Sequence, residues 1–194
     1  MSLPISPILS HRSHHQNLIV NMEVEAYLIE LESSTREALS LARSCTEKQL
    51  AYRPEGKWSV LQILEHICLS DAIMIRVIGR PTTTVSEHAE LVGDSKLRTT
   101  VAQGRAYKIT APEALTPLGA FANIAEFESV FVRQVDEFKH DLTSGKILID
   151  NRTFTHRYFG EMTITDWMNF VIHHTTRHLE QIRELNRECD ALAK

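Results

Sequence analysis

The chain has 194 residues, 43% apolar and 24% charged, which suits a single domain with a real core and excludes an intrinsically disordered chain. A formal charge of −4 without any long basic run excludes a phosphate-backbone binder, so no nucleic-acid partner is expected. No apolar stretch approaches the roughly 18 residues that a membrane-spanning helix needs, so no membrane partner is expected either.

Seven glycines and six prolines leave four windows free of both, at 8–53, 57–78, 120–144 and 161–194. Each is long enough for about five helical turns, and strand-type alternation is weak throughout. The expectation is an all-α protein. Cys45, Cys68 and Cys189 are too few and too scattered for a disulfide framework or a C-x-x-C site, and read as small buried or half-buried thiols in a reducing cytosol.

Residues 1–21 carry His11, His14 and His15 among Ser, Asn and Gln without a sustained apolar stripe, and are read as a flexible tail. The apolar start Leu3–Leu9 is short, broken by two prolines and has no basic residue before it. It does not read as a signal peptide, and a cytoplasmic protein is expected. Met22 precedes the first clear helical pattern and is an alternative start.

A first helix is expected over 22–44, with Leu28, Leu31, Ala38 and Ala42 inward. A second opens at the capping box Ser59-Val-Leu-Gln62, with Trp58 and Ile63 as a hydrophobic staple, and runs to Ile78 before Gly79 and Pro81. Residues 79–116 form a long crossover with room for one short helix. A third helix is expected over 117–142, with Pro117 in its first turn and Phe121, Phe131, Val135 and Phe138 buried. A fourth opens at Thr163-Ile-Thr-Asp166 and runs to about Cys189. Four long helices with one long crossover between the second and third describe a four-helix bundle over 22–190.

The chemistry lies in the inward stripes. In the fourth helix Trp167, Val171, His174, His178, Gln181 and Leu185 recur at seam spacing, so two histidines sit one turn apart on the buried face. In the second helix Ile63, His66, Ser70, Ile73 and Val77 recur likewise and place a third histidine in a seam. A buried imidazole without a partner costs about 1–3 kcal/mol, and packing alone favours Leu or Ile at such positions. A divalent metal removes that difficulty by taking the neutral nitrogens as ligands. Three ligands leave coordination positions open, as in catalytic sites, where a metal activates water or holds a thiolate or carboxylate.

Imidazole suits zinc, nickel, copper, cobalt and ferrous iron alike. Zinc or nickel is expected first, with cobalt, manganese or iron as alternatives.

Gln181, seven residues past His174, is either a bonding partner of the site or a plain seam residue. His173, Glu65 and Glu180 neighbour the candidate ligands but are rotated about 100° out of the seam, which favours the helix surface. His88 and His140 read as surface, and His156, just before the fourth helix, could reach the bundle mouth.

Lys57-Trp-Ser-Val-Leu-Gln-Ile-Leu-Glu-His66 resembles the second-helix signature of the DinB-like superfamily, whose YfiT-like members are named as metal-dependent hydrolases. Phe159 through Ile182, with His174, His178 and Gln181, resembles its fourth-helix signature. Arg53-Pro54 and Ala111-Pro-Glu-Ala-Leu-Thr-Pro117 also look like the family, and together the fragments cover about 22–190. The resemblance implies a four-helix bundle with one metal on His66, His174 and His178, in agreement with the seams. It also implies a small-molecule substrate, use of a low-molecular-weight thiol such as bacillithiol or mycothiol, and homodimers. No side chain stands out as a general base.

Three readings follow. The first is a metal-dependent enzyme activating a thiol or water for attack on a small electrophile, a thiol S-transferase or a hydrolase. The second is a non-catalytic ligand-binding or stress-related module with a structural metal. The third is a metal-free bundle.

Overall fold

The computed structural model describes residues 14–104 and 111–192, with side chains from Glu23 onward. Four long helices carry it: α1 (His14–Ser44), α3 (Val60–Ile78), α5 (Ile124–Thr143) and α6 (Ile164–Ala191). Two short ones, α2 (Glu47–Ala51) and α4 (Asp94–Leu97), lie in the connections. The chain is thus mainly helical, as expected.

Local chemistry sets the ends of the two helices that matter most. Ser59 Oγ accepts from Gln62 N at 3.3 Å while Gln62 Oε1 accepts from Ser59 N at 3.0 Å, which closes a capping box at α3. Thr163 and Asp166 do the same at α6, with bonds of 3.2 and 3.1 Å. Each box satisfies two orphan N–H groups of a first turn, and an N-cap of this kind stabilises by roughly 1 kcal/mol.

Both α1 and α3 pack on α5 and on α6, so the order around the bundle is α1, α5, α3, α6. The consecutive helices α1 and α3 are therefore diagonal, and α2, which touches α3 and α6, makes the connection between them. Along α1, Tyr27, Leu31, Ala38 and Ala42 are buried; along α5, Phe127, Phe131, Val135 and Phe138. Ile63, Leu64 and Ile67 of α3 and Val171, Leu179 and Ile182 of α6 complete the core. This arrangement makes α3 and α6 neighbours and brings their histidine seams face to face.

Five expectations need correction. Helix α1 begins at His14, so residues 14–21 are helical and the helix runs through Met22; His11 and the side chains of His14 and His15 lie outside the described residues. The third long helix begins at Ile124 rather than 117, because Gly119 sits at φ +84°, which no helix accommodates, and Asn123 supplies the cap by accepting from Glu126 N at 3.0 Å. Phe121 precedes that helix and packs edge-on against Phe127 at 6.0 Å. The seam of α3 drifts after Ser70, so that Met74 and Ile78 are buried while Ile73 is exposed. Finally, a short antiparallel hairpin, β1 (Thr153–His156) with β2 (Gly160–Thr163), pairs Phe154 with Met162 immediately before α6.

The crossover after α3 also contains a π turn at Arg98–Ala102 and a 3-10 turn at Glu113–Leu115, and packs against α6 and α3. Its Thr84 carbonyl accepts from Thr153 N at 3.0 Å, which ties it to the hairpin. Among the described residues, no helix is long and apolar enough to cross a membrane. Cys45, Cys68 and Cys189 are all free thiols.

Candidate metal centre

His66 enters from the second turn of α3, and His174 and His178 from consecutive turns of α6. One nitrogen of each lies within 4.8 Å of the others, and this is a group that can hold a metal ion. The rings of His66 and His178 have centroids 4.6 Å apart, and those of His174 and His178 4.4 Å. His66 and His178 are buried; His174 is half-buried and brings the cluster to the edge of the core.

The outer nitrogens decide what the inner ones can do. His66 Nδ1 lies 2.7 Å from the Leu115 carbonyl, which can only accept, so Nδ1 carries the proton and Nε2 keeps its lone pair. That Nε2 accepts only a long contact, 3.4 Å, from the Ser70 hydroxyl. His178 Nδ1 likewise donates to Gln181 Oε1 at 2.7 Å, leaving its Nε2 free. Gln181 therefore orients a candidate ligand, one of the two roles its position allowed. A carbonyl acceptor behind each imidazole is the usual support of a histidine ligand, because it fixes the tautomer and the ring.

The third ring is the discriminating one. His178 Nε2 and His174 Nε2 face each other at 3.1 Å. Lone pairs at that distance repel unless a proton or a cation lies between them. Two nitrogens bound tetrahedrally to one ion at 2.0–2.1 Å would be about 3.3 Å apart, close to the observed spacing. His174 Nδ1 is buried with no hydrogen-bond partner, so the ring does not belong to an ordinary satisfied core. The donor set fits a divalent ion.

Electrostatics agree. Burial lowers the pKa of His66, opposed by its bond to Leu115. Burial, then the neighbouring His178 and His66, hold His174 well below its ordinary value. Burial, then His66, lower His178 to about 3. All three shifts favour the neutral form, which is the form a ligand needs.

Aromatic rings enclose the cluster: Trp58 lies 4.8 Å from His66 and Phe170 5.7 Å from His174, centroid to centroid. His156 at the end of β1 packs 4.9 Å from Phe170 and 5.4 Å from Trp167, so the hairpin brings it to the same aromatic wall. Its Nδ1 accepts the backbone N–H of Tyr158 and Phe159, and burial followed by Arg157 lowers its pKa to about 4.

Two neighbours of the ligands are not where the seam places them. His173 is buried, not on the surface, because the crossover covers that side of α6: its Nε2 lies 2.6 Å from Asp94 Oδ1. Glu65 is buried too, and its carboxylate accepts from the N–H groups of Leu118, Gly119 and Ala120 at 2.9, 2.8 and 3.0 Å. Glu180, by contrast, pairs with Arg183 near the surface, and His88 and His140 are exposed as expected. No periodicity signals the parts played by Leu115, a backbone carbonyl, or by Glu65, whose partners lie more than fifty residues away.

Residues 30–182 match the DinB superfamily over most of the chain. The chain belongs to the DinB superfamily. It is 25% identical over 158 residues to YuaE, an uncharacterized protein of Bacillus subtilis, covering 76% of this chain and 90% of that one. Its fold is shared with YfiT of Bacillus subtilis at a TM-score of 0.54 and 17% sequence identity, over 95% of this chain and 93% of that one. YfiT is described as a probable metal-dependent hydrolase with an unusual four-helix bundle topology.

Proposed function

We propose that His66, His174 and His178 hold one divalent ion, zinc or nickel first, and that the protein is an enzyme acting on a small electrophilic substrate. The observation that carries this is the convergence of three neutral imidazoles, two of them fixed from behind by Leu115 and Gln181. Held there, an ion supplies Lewis acidity, which makes water or a low-molecular-weight thiol a competent nucleophile at neutral pH. The description of YfiT as a probable metal-dependent hydrolase supports the hydrolytic version.

The chain's own contribution is orientation and exclusion of water. Three protein ligands leave room for a substrate or nucleophile, whereas a structural site is closed by four. His174, the least buried of the three, brings the cluster to the edge of the core. Trp58 and Phe170 dry the flanks, strengthening every polar interaction inside.

Elemental analysis of untagged protein tests the site. The expectation is about one divalent ion per chain, lost in His178→Ala and retained when His11, His14 and His15 are all changed to Ala. Loss of metal in the second variant alone would move the site to the N-terminal segment. Loaded protein inert toward esters, amides and thiol–electrophile pairs would overturn the enzymatic reading.

A further inference from the structure

Two buried carboxylates, one on each of the helices that carry the histidines, do the same job. On α6, Asp166 accepts from the N–H groups of Leu91, Val92 and Gly93, with shortest distances of 2.8, 3.2 and 2.8 Å. On α3, Glu65 accepts from Leu118, Gly119 and Ala120. Each anchors one segment of the connection between α3 and α5 through three successive backbone donors gathered into a concave nest, and each nest contains a glycine at positive φ, Gly93 at +83° and Gly119 at +84°.

The two anchors differ in what hangs from them. Three residues before the Glu65 nest is Leu115, whose carbonyl lies 2.7 Å from His66 Nδ1. Leu115 is the last residue of a 3-10 turn closed by Leu115 N to Pro112 O at 2.9 Å and Thr116 N to Glu113 O at 3.0 Å. Between that turn and the nest stands only Thr116-Pro117, and proline has a fixed φ. The position of the Leu115 carbonyl is thus set by Glu65, the residue adjacent in sequence to the histidine that the carbonyl orients.

We propose that Glu65 is a positioning residue for the metal centre: it clamps Leu118–Ala120 so that the Leu115 carbonyl holds His66 in the Nδ1–H tautomer with Nε2 aimed at the cluster. This rests on reading the three imidazoles as ligands. Glu65 itself touches neither the ion nor substrate. A carboxamide cannot replace it, because its NH2 group would turn a donor toward backbone donors.

The experiment has two readouts, neither of which is activity. Zinc affinity is measured by competition with a chromophoric chelator, and the tautomer of His66 by the nitrogen chemical shifts of its ring in metal-free protein. Glu65→Gln should weaken zinc binding by about 10- to 100-fold, the range found for partners of histidine ligands. It should also shift His66 away from the pure Nδ1–H form. Asp166→Asn, which loosens the other anchor, should lower thermal stability while leaving the His66 tautomer and most of the zinc affinity intact.

Should Glu65→Gln fail to fold, Gly119→Ala strains the same nest from the loop side and should produce a smaller loss in the same direction. Wild-type protein that binds no zinc would sink the metal reading, yet the tautomer shift in the metal-free variant would still support the clamp. Zinc bound normally by Glu65→Gln with His66 unchanged overturns the clamp. So does an equal loss in Asp166→Asn, since affinity would then follow general loosening.

Discussion

Along α1 and α5 the buried side is Tyr27, Leu31, Ala38 and Ala42 against Phe127, Phe131, Val135 and Phe138, and Ser34 is the one buried polar residue among those described there. Along α3 and α6 the same depth holds Glu65, His66, Ser70, Asp71, Asp166, His173, Thr175 and His178. A buried polar group without a partner costs about 1–3 kcal/mol, so the second region is stable only where partners are supplied. They are supplied mainly by the crossover: Leu115 to His66, Leu118–Ala120 to Glu65, Leu91–Gly93 to Asp166 and Asp94 to His173. One half of the bundle is held by apolar packing, the other by a loop folded over polar helices. The proposed metal site and the packed core should therefore be separable by mutation.

The largest effect tests the packed half. Phe138 is fully buried and meets Tyr27 edge-on at 6.2 Å, so Phe138→Ala should cost about 3–5 kcal/mol and lower the melting temperature strongly. Zinc content per folded chain should be unchanged; its loss would show that the two halves are not separable. Next comes His174→Ala. With zinc at about a hundredfold over Kd, binding stabilises wild-type protein by roughly 2.7 kcal/mol, and the variant should lose all of this. Melting curves with and without chelator measure it: the wild type should shift, the variant should not. Both should melt at similar temperatures once stripped, because the removed ring has a buried Nδ1 without a partner.

How much of this was legible in the sequence depended on range. The caps at Ser59 and Thr163 and the seams with His66, His174 and His178 are written within a few residues, and they are enough to place α3 and α6 and to bring the three rings to one point. His173 and Glu65 were misplaced because periodicity assigns a face but cannot tell whether a distant loop covers it. The start of α5 is hidden from the sequence because Pro117 is an acceptable first-turn residue, and the positive φ of Gly119 that breaks the pattern is a property of the nest around Glu65. The four-residue strands of the hairpin are too short for alternation to register, although Gly160 and the turn residues before it separate them.

Acidification compares the halves without mutation. His66, His174 and His178 have folded-state pKa values below the ordinary histidine value, so below pH about 6.5 the unfolded chain binds more protons than the folded one. Stability of metal-free protein is complete above that pH and is lost as pH falls toward the folded values, about 3 for His178. The slope is at most about 1.4 kcal/mol per pH unit for each imidazole. Zinc-loaded protein should resist until protons displace the ion, and denaturant titrations at pH 7, 6 and 5, with and without chelator, read the difference. Coincident curves would mean that the three rings are not linked to metal.

The smallest effect comes from the one buried acid, among the described residues, that the crossover does not serve. Asp71, five residues past His66 on α3, has Oδ1 buried without a partner, and burial holds its pKa well above the usual carboxylate value. The sign is opposite to that of the histidines. The folded chain keeps the proton longer than the unfolded one, so this contribution is fullest below pH about 4 and is lost as pH rises through the raised folded value. Asp71→Asn removes the titration while preserving shape. It should raise stability at pH 7 by about 1 kcal/mol and make the acid-side loss steeper, because nothing then offsets the imidazoles. Destabilisation at pH 7 instead would mean that the carboxylate has a charged role, and the division between a packed half and a partnered half would have to be redrawn through α3.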